Sequence, residues 1–204
     1  MVDSWEVWHD FKPHGQKRYE GAVWVGFDPS FTGDNPALAV IAPPKKAGAP
    51  YRILERKHLT HMPPMQQAQV IKKICESYQV EHLGIDTTGA GIAVAEHVKE
   101  FFPHYTPIIY SIESKTRMVL RAKELFFRRK LHFDSGYTDI AKAFIGIKQA
   151  TTQSGNITLI AKRTKSTGHS DIAWAVMNAL EKAPIASTAE VSGGAMQSRV
   201  KVYQ

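Results

Sequence analysis

Apolar and polar positions alternate in blocks along this chain, and two blocks near the start set the frame. Ala22-Val23-Trp24-Val25-Gly26-Phe27 runs apolar into Asp28, and "ALAVIA" follows at 37–42. Short apolar runs rich in β-branched and aromatic residues, bounded by turn residues, predict buried strands over 22–28 and 37–42. "YRILERKHL" predicts a third over 51–59. The links "SFTGDNP" and "PPKKAGAP" are short and turn-rich, so these three strands are expected to form an antiparallel meander. After Pro63-Pro64 the period changes: Val70, Ile71, Ile74 and Cys75 share one side of a helix expected over 65–78.

From there strands and helices alternate. "EHLGID" (81–86) reads as a strand, "GIAVAEHVKEFF" (91–102) as a helix stopped by Pro103, and "YTPIIYSI" (105–112) as a strand. A long basic helix is expected over 115–130 and another over 137–147. A hairpin follows in "ATTQSGNITLIAKR", turning at Ser154-Gly155-Asn156, and a last helix runs over 170–182. This order predicts an α/β fold with a mixed central sheet, antiparallel in its first three strands and parallel afterwards, flanked by helices. Residues 1–20, with Trp5 and Trp8 available to dock, read as an extension or linker. Residues 21–186 read as the domain, and the small, polar stretch 187–204 as a flexible tail.

On sheets of this kind, sites collect at the carboxyl ends of parallel strands. Asp28 and Asp86 each close an expected strand, and Asp171 opens the last helix. Each has an ordinary reading: a turn starter before Pro29, an N-cap or Asx turn, an acid in a first helical turn. Taken together they have another. If the two strands are parallel neighbours, their carboxylates lie side by side, and the last helix carries small residues (Ala173, Ala175, Ala179) that let it pack close and bring Asp171 to the same point. Three such acids repel unless cations neutralise them, and oxygen-only ligation suits Mg²⁺ or Mn²⁺. Two such ions about 4 Å apart activate a water and stabilise the leaving oxygen of a phosphodiester.

The neighbours of these acids remain open between two roles. His169 serves as a ligand, positions water, binds phosphate or only caps the helix. Thr87, Thr88, Gly89 and Gly91 admit a phosphate backbone or merely make the turn. Asp34 reads as a turn residue, and Asp134 and Asp139 as surface or capping acids, either available as a fourth carboxylate; Glu124 can pair with Arg121 or Arg128. Lys162, Arg163 and Lys165 lead directly into the last acid and would clamp a DNA backbone without reading its sequence, or form a solvated loop.

Composition narrows the classes. The chain has 204 residues, net charge +7 and a hydrophobic fraction of 43%. That suits one cored domain with a polyanionic partner. No apolar run approaches the roughly 18 residues of a membrane span, and the polar N-terminus lacks a secretory apolar core. The single cysteine, Cys75, rules out a disulfide framework or a cysteine-rich zinc site. A second basic cluster, Arg117, Arg121, Lys123, Arg128, Arg129 and Lys130, is either a binding face or solvated surface.

"VGFDPS", "GIDTTGAG" and "GHSDIAWAVMNALEKAP", in that order, resemble the nuclease domain of tailed-phage terminase large subunits, a branch of the ribonuclease H-like superfamily. The resemblance spans about 20–184. It implies a nuclease that cuts concatemeric double-stranded viral DNA with two divalent metals, Asp28, Asp86 and Asp171 being the ligands. It also implies a host-cytoplasmic setting, an ATPase motor domain as partner, and the viral portal and small terminase subunit as further partners. The phosphate-binding pattern GxxxxGK[ST] of such a motor does not occur here, so the chain is expected to be the C-terminal part of a longer protein. A Holliday-junction resolvase shares the fold but usually has Glu where Asp86 stands. A sugar-kinase-like ATPase needs two like domains, for which this chain is short. A non-catalytic portal-docking module is the remaining alternative.

Overall fold

The structure is a computed structural model describing residues 2–3, 8–13, 16–30, 35–60, 62–89, 91–151, 157–161 and 171–184. The strands are β1 (Val2–Asp3), β2 (Ala22–Asp28), β3 (Ala37–Ala42), β4 (Tyr51–His58), β5 (Gln79–Asp86), β6 (Thr106–Ile108), β7 (Leu131–Asp134), β8 (Ile147–Thr151) and β9 (Ile157–Ala161). The helices are α1 (Pro64–Ser77), α2 (Gly91–Lys99), α3 (Ile112–Phe127), α4 (Thr138–Gly146) and α5 (Asp171–Ala179), the last continued by a 3₁₀ turn at Leu180–Lys182. Seven strands form one sheet in the order β1-β7-β4-β3-β2-β5-β6, while β8 and β9 make a separate antiparallel hairpin. β3 runs against both β2 and β4; every other pairing in the main sheet is parallel. The carboxyl ends of β2, β4, β5 and β6 therefore share one edge.

The meander, the mixed sheet and the hairpin follow the sequence expectation, although the hairpin's turn residues lie outside the described set. Two details differ. The strand expected over 105–112 is only Thr106–Ile108 long, because Ser111 is the N-cap of α3. Its side chain accepts from Ser114 N at 3.0 Å, while Ser111 N donates to Ser114 Oγ at 2.8 Å. This reciprocal box starts the helix three residues early. The short strand β7 had no distinct pattern in "LHFD". It is recognisable only through its parallel pairing with β4, which leaves Leu131 and Phe133 buried beneath α3 and α4.

Alternation along the strands builds two cores. Val23, Val25 and Phe27, with Leu38, Val40, Leu83 and Ile85, face α1 and α2. Trp24, Ala37, Ala39 and Ile41 face α3, α4 and α5. The N-terminal segment, expected to be a linker, contributes to the first of these cores: Trp8, Phe11 and Tyr19 are buried in it. Arg52 clasps it from β4 with a two-pronged bond to Asp10 at 2.6 and 2.8 Å, lying under the rings of Trp8 and Tyr19. The salt-bridged guanidinium holds the Asp10 carboxyl well below the usual carboxylate range.

α5 is buried on every side: Ile172 through Ala179 are all inside, between the sheet and α3 and α4. An all-round apolar helix belongs in such a layer. Its closest approach is over the paired residues Gly26 and Gly84. A Cβ on Gly26 would stand 1.9 Å from the Ala175 carbonyl oxygen, and one on Gly84 2.3 Å from that of Asn178. The two glycines thus leave room for helix backbone directly against strand backbone.

Gly84→Ala is expected to cost about 3 kcal/mol of stability, the upper part of the usual range for overpacking, because its methyl meets backbone that cannot rotate away. Urea unfolding of the variant measures this; a loss below about 0.5 kcal/mol, as for an ordinary surface change, would contradict it.

Candidate metal centre

Asp28 and Asp86 end neighbouring parallel strands, one residue beyond the paired Phe27 and Ile85. Neighbouring strands lie about 4.8 Å apart, so the two carboxylates leave the edge side by side. Both lie two residues after the glycines under α5, and side chains two apart share a face. They therefore point to the α5 side.

α5 runs antiparallel to β5. Lys182, past its end, bonds Glu81 near the start of β5 at 2.9 Å, while Asn178 lies over Gly84. From Asn178 back to Asp171 the helix rises about 10 Å, more than the roughly 7 Å from Gly84 to Asp86. The first residue of α5 accordingly reaches the edge where the two strands end.

The meeting point is marked by Tyr110, just beyond β6. Its hydroxyl is held far above its ordinary pKa, first by burial and then by the charges of Asp28, Asp86 and Asp171. All three carboxylates therefore act on one phenol. That hydroxyl donates to Asn178 Oδ1 at 3.0 Å, and Asn178 Nδ2 donates to the Phe27 carbonyl at 2.8 Å. A fully buried amide thus ties the helix to the strand residue before Asp28 and to the tyrosine under the acids. Among the described residues no three acids, histidines or cysteines cluster tightly enough to hold one ion between them.

Asp86 is the most enclosed of the three, only 8% exposed. Burial raises its pKa, opposed by hydrogen bonds from Thr88 and by the charge of Lys115. Thr88 N donates to Asp86 Oδ1 at 2.8 Å, and Thr88 Oγ1 accepts from Tyr110 N at 2.8 Å. Thr88 thereby fixes both the acid and the start of the β6–α3 link. Gly89 takes a left-handed turn, φ +57°, with open space where a side chain would be. A Cβ on Gly91 would meet the Asp86 carbonyl at 1.9 Å and Pro29 at 3.0 Å, so the links after β2 and β5 are in contact. Gln67, fully buried on α1, donates to Ser30 O and Met62 O, both at 2.9 Å, and steadies the chain after Asp28.

Asp28 and Asp86 thus stand on neighbouring strand ends with Thr88 bonded to Asp86 and Gly89 beside it, and Asp171 opens the helix that packs over the same two strands. His169, Lys162, Arg163 and Lys165 lie outside the described residues, as does Asp34. Asp139 is occupied two strands away, pairing with Arg56 at 2.6 Å and His58 at 2.7 Å. Asp134 is buried and accepts from Gly136 N. The basic cluster of α3 is engaged internally: Arg117 and Arg121 pair with Glu181, Arg128 with Glu124, and Lys130 with the Gly48 carbonyl. Sequence reasoning missed Tyr110, Asn178 and Gln67. Asn178 alone left a signal, as the one polar residue inside "IAWAVMNAL".

The terminase RNaseH-like domain family matches residues 25–183, and the chain belongs to that family. Among curated relatives, the terminase ATPase subunit of Escherichia phage P2 is 42% identical over 187 residues, 91% of this chain and 32% of that protein. The probable terminase ATPase subunit of Haemophilus phage HP1 is 39% identical over 86% of this chain and 29% of its own length. The chain spans about a third of the length of these relatives. The large terminase nuclease from thermophilic phage G20c, solved with bound magnesium, superposes with a TM-score of 0.68 at 21% identity, covering 85% of this chain and 84% of that one. The nuclease domain of the SPP1 large terminase with bound Mn gives 0.53 at 14% identity, covering 89% and 92%. At these identities the superpositions establish the ribonuclease H-like fold.

Asn178→Ala leaves the Phe27 carbonyl and the Tyr110 hydroxyl without their partner. It should cost about 2–4 kcal/mol, the penalty for two unsatisfied buried groups, against about 1 kcal/mol for Tyr110→Phe. Equal losses in the two variants, measured by denaturant unfolding, would show that the amide does not join helix to strand.

Proposed function

We propose that this chain is a divalent-metal-dependent endonuclease domain of a phage DNA-packaging terminase, cutting concatemeric double-stranded DNA at Asp28, Asp86 and Asp171. The observation that carries this reading is the position of Asp28 and Asp86 at the ends of neighbouring parallel strands, with α5, which opens on Asp171, packed over Gly26 and Gly84 just before them. The donor set fits the metal: it is oxygen-only, and burial penalises the Asp86 charge in a way that a bound cation reverses. Asp28, Asp86 and Asp171 are the residues that would hold such ions. When bound, Mg²⁺ or Mn²⁺ supplies an activated water and stabilises the leaving oxygen of the phosphodiester.

The residues of the chain do the positioning. Asp28 and Asp86 sit on strand ends whose backbones are fixed in the sheet, and Asp171 on a helix wholly enclosed by packing. Such rigid supports keep ligand oxygens within the narrow tolerance that the chemistry needs. Thr88 N–H holds the Asp86 carboxylate by Oδ1. The open turn at Gly89 gives a phosphate backbone close access. Lys162, Arg163 and Lys165, and His169 beside Asp171, supply cations and a further ligand next to the cut. In this reading the ATPase motor belongs to the longer protein, the portal and small subunit deliver the DNA, and the setting is the host cytoplasm. No helix among the described residues is long and apolar enough to cross a membrane.

Plasmid incubated with the protein in Mn²⁺ or Mg²⁺ should be nicked and linearised, and EDTA should abolish this. Asp28→Ala, Asp86→Ala and Asp171→Ala should each reduce cleavage at least about 100-fold, the scale expected for losing a group that stabilises transition-state charge. Cleavage that survives EDTA, or three variants cutting like the parent, would refute the proposal.

A further inference from the structure

The nuclease reading leaves one problem of charge, since three carboxylates repel the phosphate they are meant to cut. Metal ions answer part of it, and a side chain near Asp86 is placed to answer more. Lys115 lies in the first turn of α3, with its ammonium 5.0 Å from the Tyr110 ring centre and 5.2 Å from that of Trp174. Those rings pack on each other at 5.2 Å, so they form a single platform. We propose that Lys115 is a phosphate-contacting residue of the site, its ammonium over the Tyr110–Trp174 platform binding an oxygen of the DNA phosphate presented to Asp28, Asp86 and Asp171. This inference rests on the nuclease reading of the same site.

Three features support it. First, the platform adjoins the site: the Tyr110 hydroxyl donates to Asn178, whose amide bonds the Phe27 carbonyl just before Asp28, and Trp174 follows Asp171 within one turn of α5. Second, Tyr110 N donates to Thr88 Oγ1 and Thr88 N donates to Asp86 Oδ1, both at 2.8 Å, so the platform under the ammonium is joined through one residue to the most enclosed carboxylate. Third, the position is fixed. Ile108 pairs with Asp86 across β6 and β5, Tyr110 N is bonded to Thr88, and the Ser111–Ser114 box starts α3 at Ile112, three residues before Lys115.

A cation in a first helical turn opposes the macrodipole, and helix formation does not ask for one there. The aromatic faces stabilise it by cation–π attraction and let the aliphatic stem lie on apolar surface while the head stays free. Lys115 is half-buried, consistent with that division. Arg117 and Arg121 further along α3 pair with Glu181, whereas the Lys115 ammonium lies over the Tyr110 and Trp174 rings.

The test separates this role from the nuclease function and from plain packing. Lys115→Met keeps the stem on the rings and removes the charge; Lys115→Arg keeps a charge. Binding of a labelled duplex in EDTA, measured by anisotropy across a KCl series, needs no cleavage. The log–log salt slope of Lys115→Met should be shallower than that of the parent by about 0.9, the value for one phosphate contact, and Lys115→Arg should restore it. In Mn²⁺, kcat/KM for plasmid nicking should fall at least tenfold in Lys115→Met at an unchanged melting temperature. An unchanged salt slope in Lys115→Met overturns the proposal whatever happens to cleavage. A lowered melting temperature with an unchanged slope overturns it in favour of a packing role. A parent protein that binds DNA but never cuts it refutes the nuclease reading, and the slope comparison still decides Lys115.

Discussion

The structure depends on one approach, that of α5 onto β2 and β5. Gly26 and Gly84, paired across the two strands, bring helix backbone within van der Waals distance of strand backbone. No other residue fits there, since a single methyl would overlap carbonyl oxygens of the helix. The approach sets the height of Asp171 relative to Asp28 and Asp86, and Asn178 sets its rotation by bonding the Phe27 carbonyl. A helix one side chain further out would still fold over the sheet. It would no longer place its first residue with the two strand-end acids.

Much of this was legible in the residues. The strands at 22–28 and 37–42 show in unbroken apolar runs, and Asp28 and Asp86 announce themselves as acids ending such runs. The small-residue character of "IAWAVMNAL" marks a helix that packs tightly. What escaped has physical reasons. The strand Leu131–Asp134 is too short for a period and exists because β4 offers it an edge. Trp8, Phe11 and Tyr19 carry no periodic signal, and only their long-range packing makes them part of the core. Tyr110 read as a strand residue because the capping box at Ser111 and Ser114 is built from two serines, without the acidic partner that usually betrays it. Three acids far apart in sequence suggested convergence; the tyrosine and amide beneath them could not be inferred without the fold.

The charge of the molecule is divided in a way its net value hides. A total of +7 pointed to a polyanionic partner, yet the strongest cluster of arginines, on α3, is largely spent on Glu181 and Glu124. Such pairs fix α3 to the end of α5 more than they attract a polyanion. What remains on α3 outside these pairs includes Lys115 on its aromatic platform. On the proposed reading, a negative centre with a few positioned cations would hold metal and phosphate together and bind a backbone without reading bases.

The central claim is that the carboxylates of Asp28, Asp86 and Asp171 share divalent metal. Fe²⁺ takes the same oxygen ligands, and with ascorbate and peroxide it generates radicals that break the polypeptide beside the ion. Mapping the fragments of the Fe²⁺-loaded protein by mass spectrometry tests the geometry without any DNA. The account predicts cuts next to 28, 86 and 171 together, suppressed by excess Mg²⁺ and lost together in Asp86→Asn. Cuts confined to one of these positions, or scattered elsewhere and indifferent to Mg²⁺, would contradict it.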